Sequence, residues 1–173
     1  MATRTATKKQ SAETAEVARS YFEAVGRQDI DAMEGHYEPG SIGRIHGLVE
    51  LKVGDNYRAW FAELFRAFPD WKFEILDIVA EGERAAVEWA AKGTFNGDGR
   101  FQGFEPNGAS IEIRGCDIVT VRDGRMVGLE AYTDGMEIAR QLGALPPQGS
   151  VAERGMTGAL NLKTRAAKAL RRD

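Results

Sequence analysis

The chain has 173 residues, 43% of them hydrophobic and 28% charged, a balance that suits one globular domain and excludes a disordered or collagen-like chain. No run approaches the ~18 apolar residues needed to span a bilayer, and residues 1–10 lack the apolar segment of a secretory signal. The net charge of −3 is unevenly held: Arg4, Lys8 and Lys9 give residues 1–10 a charge of +3, six basic against two acidic side chains give residues 147–173 +4, and residues 11–146 therefore carry −10, an acidic body that repels nucleic acid.

One cysteine, Cys116, excludes an internal disulfide and a multi-cysteine zinc site. Two histidines, His36 and His46, do not suffice for a histidine-rich centre, so no metal is expected. This cysteine usage points to a reducing cytoplasm.

Residues 1–10 are small, Thr-rich and basic, and read as disordered. Ala15, Ala18, Tyr21, Phe22 and Val25 recur at helical spacing, which predicts an amphipathic helix over 12–27. Asp29 is placed to cap a second short helix that carries Ile30 and Met33, reaches toward Tyr37 and stops at Pro39-Gly40. Residues 41–53 are ambiguous, with 42–46 fitting a short strand. Asp55 opens the strongest helix, with Tyr57, Trp60, Phe61, Leu64, Phe65 and Phe68 on one broad face, and Pro69-Asp70 ends it.

The period then changes to two. Strands are predicted at 73–79, 85–94, 110–121 and 126–133, separated by turns at Gly82, Asn96-Gly97-Asp98-Gly99, Asn107-Gly108 and Asp123-Gly124. A short helix follows over 136–142 and Gly143 ends it. Helices first and strands afterwards mean an α+β domain with an antiparallel sheet, spanning 11–146. Such a sheet, covered by helices on one side, would curl into a cone with a pocket inside. After Pro146-Pro147, residues 147–173 read as an irregular basic extension, with 163–172 able to form a short basic helix.

Five segments occur in order: Phe68-Pro69-Asp70, then Gly93-Thr94-Phe95-Asn96-Gly97, then Phe101-Gln102-Gly103-Phe104-Glu105-Pro106-Asn107-Gly108, then Asp123-Gly124-Arg125-Met126-Val127, and last Asp134 ahead of Arg140-Gln141-Leu142-Gly143. Over about residues 12–146 this pattern resembles the SnoaL-like polyketide cyclases of the nuclear transport factor 2-like superfamily. The resemblance implies a cone-shaped barrel of a curved antiparallel sheet packed on N-terminal helices, paired into a homodimer through the outer sheet face. It also implies a small hydrophobic, oxygenated ring substrate and aldol-type cyclisation or isomerisation by acid/base chemistry, without metal or cofactor.

The same resemblance marks Asp134 as the general acid/base. Glu130, Tyr132 and Asp134 stand at i, i+2 and i+4, so one strand face would put all three in the pocket, where desolvation raises a carboxyl pKa. Asp134 also stands where the following helix needs a cap. His46 lies where the family often has a His-Asp-Pro sequence. By comparison with ketosteroid isomerases on this fold, Tyr21 and Asp117 match the oxyanion-hole tyrosine and aspartic acid. Trp60, Phe61, Phe65 and Trp89 read as pocket and core walls, joined by Phe95, which stands where the family usually has a histidine. A phenyl ring carries no proton, which favours a binding or assembly module as the alternative reading. A third reading is an epoxide hydrolase or a hydroxylase-like relative, and epoxide hydrolysis would gather Asp77, Arg114 and Asp117 around a water.

Overall fold

The computed structural model describes residues 2–169 and 171. Its first helix, α1 (Ala2–Gly26), begins well before the expected start. Residues 2–10 thus continue a helix where the composition suggested disorder, because extending an existing helix is far easier than nucleating one. Ser11 bonds back to the Thr7 carbonyl at 2.9 Å within it. A second helix, α2 (Ile30–Gly35), is capped by Asp29, whose carboxylate accepts from Ala32 N at 3.0 Å.

Tyr37 does not extend α2. It opens β1 (Tyr37–Ile45), a strand that runs through Pro39-Gly40 and is followed by β2 (Val49–Lys52). The aromatic helix is α3 (Tyr57–Ala67), and Phe68 ends it. Then come β3 (Lys72–Glu81), β4 (Arg84–Thr94), β5 (Ser110–Arg122), β6 (Arg125–Thr133) and the short α4 (Gly135–Gln141). The β5–β6 turn has positive φ at both Asp123 (49°) and Gly124 (73°), the backbone a tight two-residue hairpin requires.

The strands form one sheet in the order β2-β1-β6-β5-β4-β3. Every neighbouring pair is antiparallel except β1 and β6, which run parallel and make the sheet mixed. Register shifts in β1, β3 and at the β5–β6 pairing are bulges, and bulges bend a sheet. The sheet stays open, with β2 and β3 as its edges, so the curved sheet around a cavity is not a closed barrel. Helix α1 packs on its inner face, held at the β3–β4 turn where Thr14 Oγ1 donates to the Gly82 carbonyl at 2.7 Å and Gly82 N donates to Ser11 Oγ at 2.9 Å.

The C-terminal segment also differs from expectation. Residues 151–169 are not irregular but form α5 (Val151–Ala169). Its glycines are outweighed by the Ser-x-x-Glu start signal: Glu153 N donates to Ser150 Oγ at 3.1 Å, and Glu153 Oε2 accepts from Gly149 N at 2.6 Å. Among the described residues no helix is long and apolar enough to cross a membrane.

Candidate active site

The inner faces of β1, β4, β5 and β6, the apolar sides of α1 and α3, and α4 enclose a cavity of about 800 Å³. That is the size of sites that take drug-sized molecules. Strand alternation decides what faces it. On β5 the inward row is Ile111, Ile113, Gly115, Asp117, Val119 and Val121, which places a carboxylate in a row otherwise apolar or small. Asp117 is only 6% exposed.

Among the described residues the Asp117 carboxyl has one hydrogen bond, from Trp89 Nε1 to Oδ1 at 2.8 Å. Burial raises its pKa from the ordinary carboxylate value to about 7, against the opposing pull of that indole bond. Gly115 makes the arrangement possible. A Cβ there would lie 2.3 Å from Trp89 Cζ2 and 2.7 Å from the Tyr132 carbonyl oxygen, so the indole crosses β5 only over a glycine.

A cluster of three buried tyrosines lies in the same cavity wall. The Tyr21 and Tyr57 hydroxyls are 3.0 Å apart, and the Tyr37 ring stands edge-on to Tyr21 and Tyr57 with centroids 5.5 Å from each. Burial pushes all three phenols above their ordinary pKa. For Tyr37 the neighbouring Tyr57 and the Asp117 charge add to this. The three therefore stay neutral hydrogen-bonding groups at physiological pH. Two further donors, the indole N–H groups of Trp60 and Trp71, are buried on residues that line the cavity and have no partner among the described residues.

The residues singled out in the sequence separate into three groups. Tyr21, Asp117, Trp60, Phe61 and Trp89 line the cavity. His46 and Asp134 reach its rim but are exposed. Asp134 caps α4, accepting from Met136 N and Glu137 N at 3.0 Å each. His46 Nε2 lies 2.7 Å from Glu130 Oε2, and its ring stacks on Tyr132 with centroids 4.5 Å apart.

Four residues do not line the cavity. Glu130 and Tyr132 point to the opposite face of β6, because Leu129, Ala131 and Thr133 are the inward row. Asp134 reaches the rim only because it lies past the strand end. Phe65 is buried in the core beside Phe61. Phe95 is also core, stacked on Phe68 at 5.1 Å, so its lack of a proton-bearing group takes nothing from the cavity. Nor do Asp77, Arg114 and Asp117 converge: Asp77 is exposed, and the Arg114 side chain is 71% exposed on the outer face, away from Asp117.

Tyr37, Tyr57 and Trp71 were not foreseen as site residues. The signal for Tyr57 was its place on the same helical face as Trp60, Phe61 and Leu64. Among the described residues no group of three or more His, Cys, Asp or Glu could hold a metal ion.

The family model for SnoaL-like polyketide cyclase matches residues 15–142, and the chain belongs to that family. Its fold recurs in AclR, a candidate hydroxylase from Streptomyces galilaeus, at 23% identity and a TM-score of 0.69, covering 94% of this chain and 96% of that one. A candidate SnoaL-like polyketide cyclase from Jannaschia sp. CCS1 is similar at 22% identity and a TM-score of 0.70, covering 79% of this chain and 96% of the other. An epoxide hydrolase of the LEH-like type from M. tuberculosis is similar at 17% identity and a TM-score of 0.57, covering 78% and 92%. No curated protein sequence matches the chain.

Proposed function

We propose that this protein is a cofactor-free enzyme that moves a proton next to a carbonyl group of a flat, hydrophobic, oxygenated ring compound, with Asp117 as the proton-transfer group. The observation that carries this reading is the Asp117 carboxyl, buried in an apolar cavity and titrating near neutrality. As the carboxylate it takes a proton from the carbon beside the substrate carbonyl, and the C–H electron pair moves into the carbonyl to give an enolate. The neutral tyrosine cluster supplies O–H donors for the enolate oxygen. The enolate carbon then attacks a second carbonyl of the same molecule to close a ring, the new alkoxide oxygen taking the proton from Asp117, or itself recovers that proton to isomerise.

The unpartnered indole donors of Trp60 and Trp71 support a ligand that brings oxygen acceptors rather than cations or donors. Asp134 and His46, at the rim, are read as structural. A reducing cytoplasm remains the proposed location, on the single cysteine.

The test compares anthraquinone with anthracene, which share a shape and differ in two carbonyl oxygens. Anthraquinone is expected to bind about tenfold or more tightly, with the preference reduced in Trp60→Phe and Trp71→Phe. Polyketone precursors are then screened for turnover, and a substrate turned over at an unchanged rate by Asp117→Asn would refute the assignment. Binding of every compound without any turnover would support the non-catalytic alternative.

A further inference from the structure

Helix α5 has no buried residue, and beyond the ion pair of Glu153 with Arg140 of α4 no other helix or strand among the described residues packs against it. Yet it is amphipathic. At ~100° per residue, Val151, Ala152, Met156, Ala159, Leu160 and Leu162 fall within one half of its circumference, where Lys163 is the one charge, while Arg154, Arg165 and Lys168 occupy the other half. Leu160 and Leu162 are 57% and 69% exposed. A helix of 19 residues with such a stripe gains little from its own backbone alone and is stabilised when the stripe is covered.

The cavity mouth carries the matching surface. Leu48, Phe104 and Met136 line it and are 43%, 50% and 56% exposed. Around them stand Glu63, Asp134 and Glu137. Glu63 accepts from Gln102 N, Asp134 caps α4, and none of the three has a cationic partner among the described residues. The basic residues of α5 likewise have no acidic partner there. An apolar stripe with Lys163 within it and Arg154 and Arg165 beyond one edge thus has its complement in an apolar rim with acidic flanks on the same chain.

The chain's own α5 does not cover its own mouth. The first turn is held by Arg140 Nη2 to Glu153 Oε1 at 3.0 Å and by Gly149 N to Glu153 Oε2, and beyond it α5 packs on no described helix or strand. A second copy satisfies both halves at once by two-fold exchange, since each chain supplies one helix and one mouth.

We propose that α5 of one copy lies across the cavity mouth of a second copy, and reciprocally, so that each cavity is closed by its partner's C-terminal helix. The cavity is then complete only in the dimer. The argument is independent of the chemistry inside the cavity.

The test uses the full chain with a photo-crosslinking benzoylphenylalanine in place of Leu160, mixing isotopically heavy and light copies. Heavy-to-light crosslinks to residues 102–104 or 135–137 are expected. In parallel, Leu160→Glu should weaken dimerisation by about tenfold or more in sedimentation, with circular dichroism unchanged because the site is exposed. Crosslinks within one copy only, or to another face of the second copy, would overturn the proposal. So would a dimer indifferent to Leu160→Glu, a monomer at tens of micromolar, or a preference of α5 for phosphatidylglycerol vesicles without inter-copy crosslinks.

Discussion

The indole of Trp89 donates to Oδ1 of Asp117 at 2.8 Å, a side-chain bond laid over the backbone pairing of adjacent strands β4 and β5. That hydrogen bond opposes the effect of burial on the carboxyl. The chemistry and the stability of the site therefore meet at the same atom.

The first prediction follows from the raised Asp117 pKa. An unfolded aspartate titrates near 3.9, so between about pH 4 and pH 7 the folded state holds a proton that the unfolded state releases. Stability should fall as pH rises through that window and level off above about 7, with an upper limit on the order of 4 kcal/mol for this group. Asp117→Asn keeps the acceptor for Trp89 and removes the titration. Urea denaturation at pH 4.5 and 8 should show the variant gaining on the wild type at the higher pH. Parallel pH curves for the two proteins would contradict the assignment.

Gly115→Ala is expected to destabilise by about 1–3 kcal/mol, because the new Cβ meets both the Trp89 ring and an immovable backbone oxygen. Trp89→Phe keeps most of the packing but removes the N–H. The Asp117 pKa should then rise above 7, which carboxyl-carbon NMR titration would read directly. An unchanged or lower value would mean that the indole bond does not favour the ionised form.

Tyr57→Phe takes from the Tyr21 hydroxyl its partner at 3.0 Å and leaves it Tyr37, so the loss should not exceed the about 1–3 kcal/mol of an unmade buried bond. The double variant with Tyr21→Phe should cost less than the two singles added together, since it leaves no orphan in this pair. A double-mutant cycle in urea measures the coupling, and strict additivity would show that the two hydroxyls are independent.

Asp134 separates cap from catalyst. Asp134→Ala should cost about 1 kcal/mol through loss of the α4 cap, while Asp134→Asn should cost only a few tenths. Neither should change the pH dependence of stability attributed to Asp117. A turnover assay in which Asp134→Asn abolishes activity would move the proton-transfer role to the rim.

The strands of the second half were legible because alternation and tight turns are local signals, and Asp123-Gly124 alone dictates a hairpin. The Phe68-Pro69-Asp70 and Gly93-Thr94 segments were recognisable, and their physical meaning is now plain. Asp70 Oδ1 accepts from Thr94 N at 2.7 Å and Oδ2 from Thr94 Oγ1 at 2.8 Å, tying the end of α3 to the end of β4. Those bonds hold the Asp70 carboxyl below its usual range.

What escaped was face and partner. Asp134 looked like part of the inward row of β6 because the alternation was counted through it, one residue past the strand's end at Thr133, and the resemblance turned that row, with Glu130 and Tyr132, toward the pocket. Asp117 could have been ranked first by counting alternation from Ile111 along β5, whereas resemblance alone drew attention to the strand end. The parallel docking of β1 was not legible, since its partner lies far along the chain and the local sequence offers only a short strand at 42–46 after a stop at Pro39-Gly40.

That docking governs how the protein folds. Arg44 and Glu130, bridged across β1 and β6, are 86 residues apart, and their pairing closes the largest loop in the sheet. The β3–β4 and β5–β6 hairpins can assemble first from near neighbours, whereas β1 must wait for a finished β6 edge. The wall that carries Tyr37 and Ile45 is then the last to arrive and the first to leave. Substitutions there should speed unfolding while scarcely slowing folding, and the chain should pass through a state in which the carboxyl of Asp117 is open to water on one side.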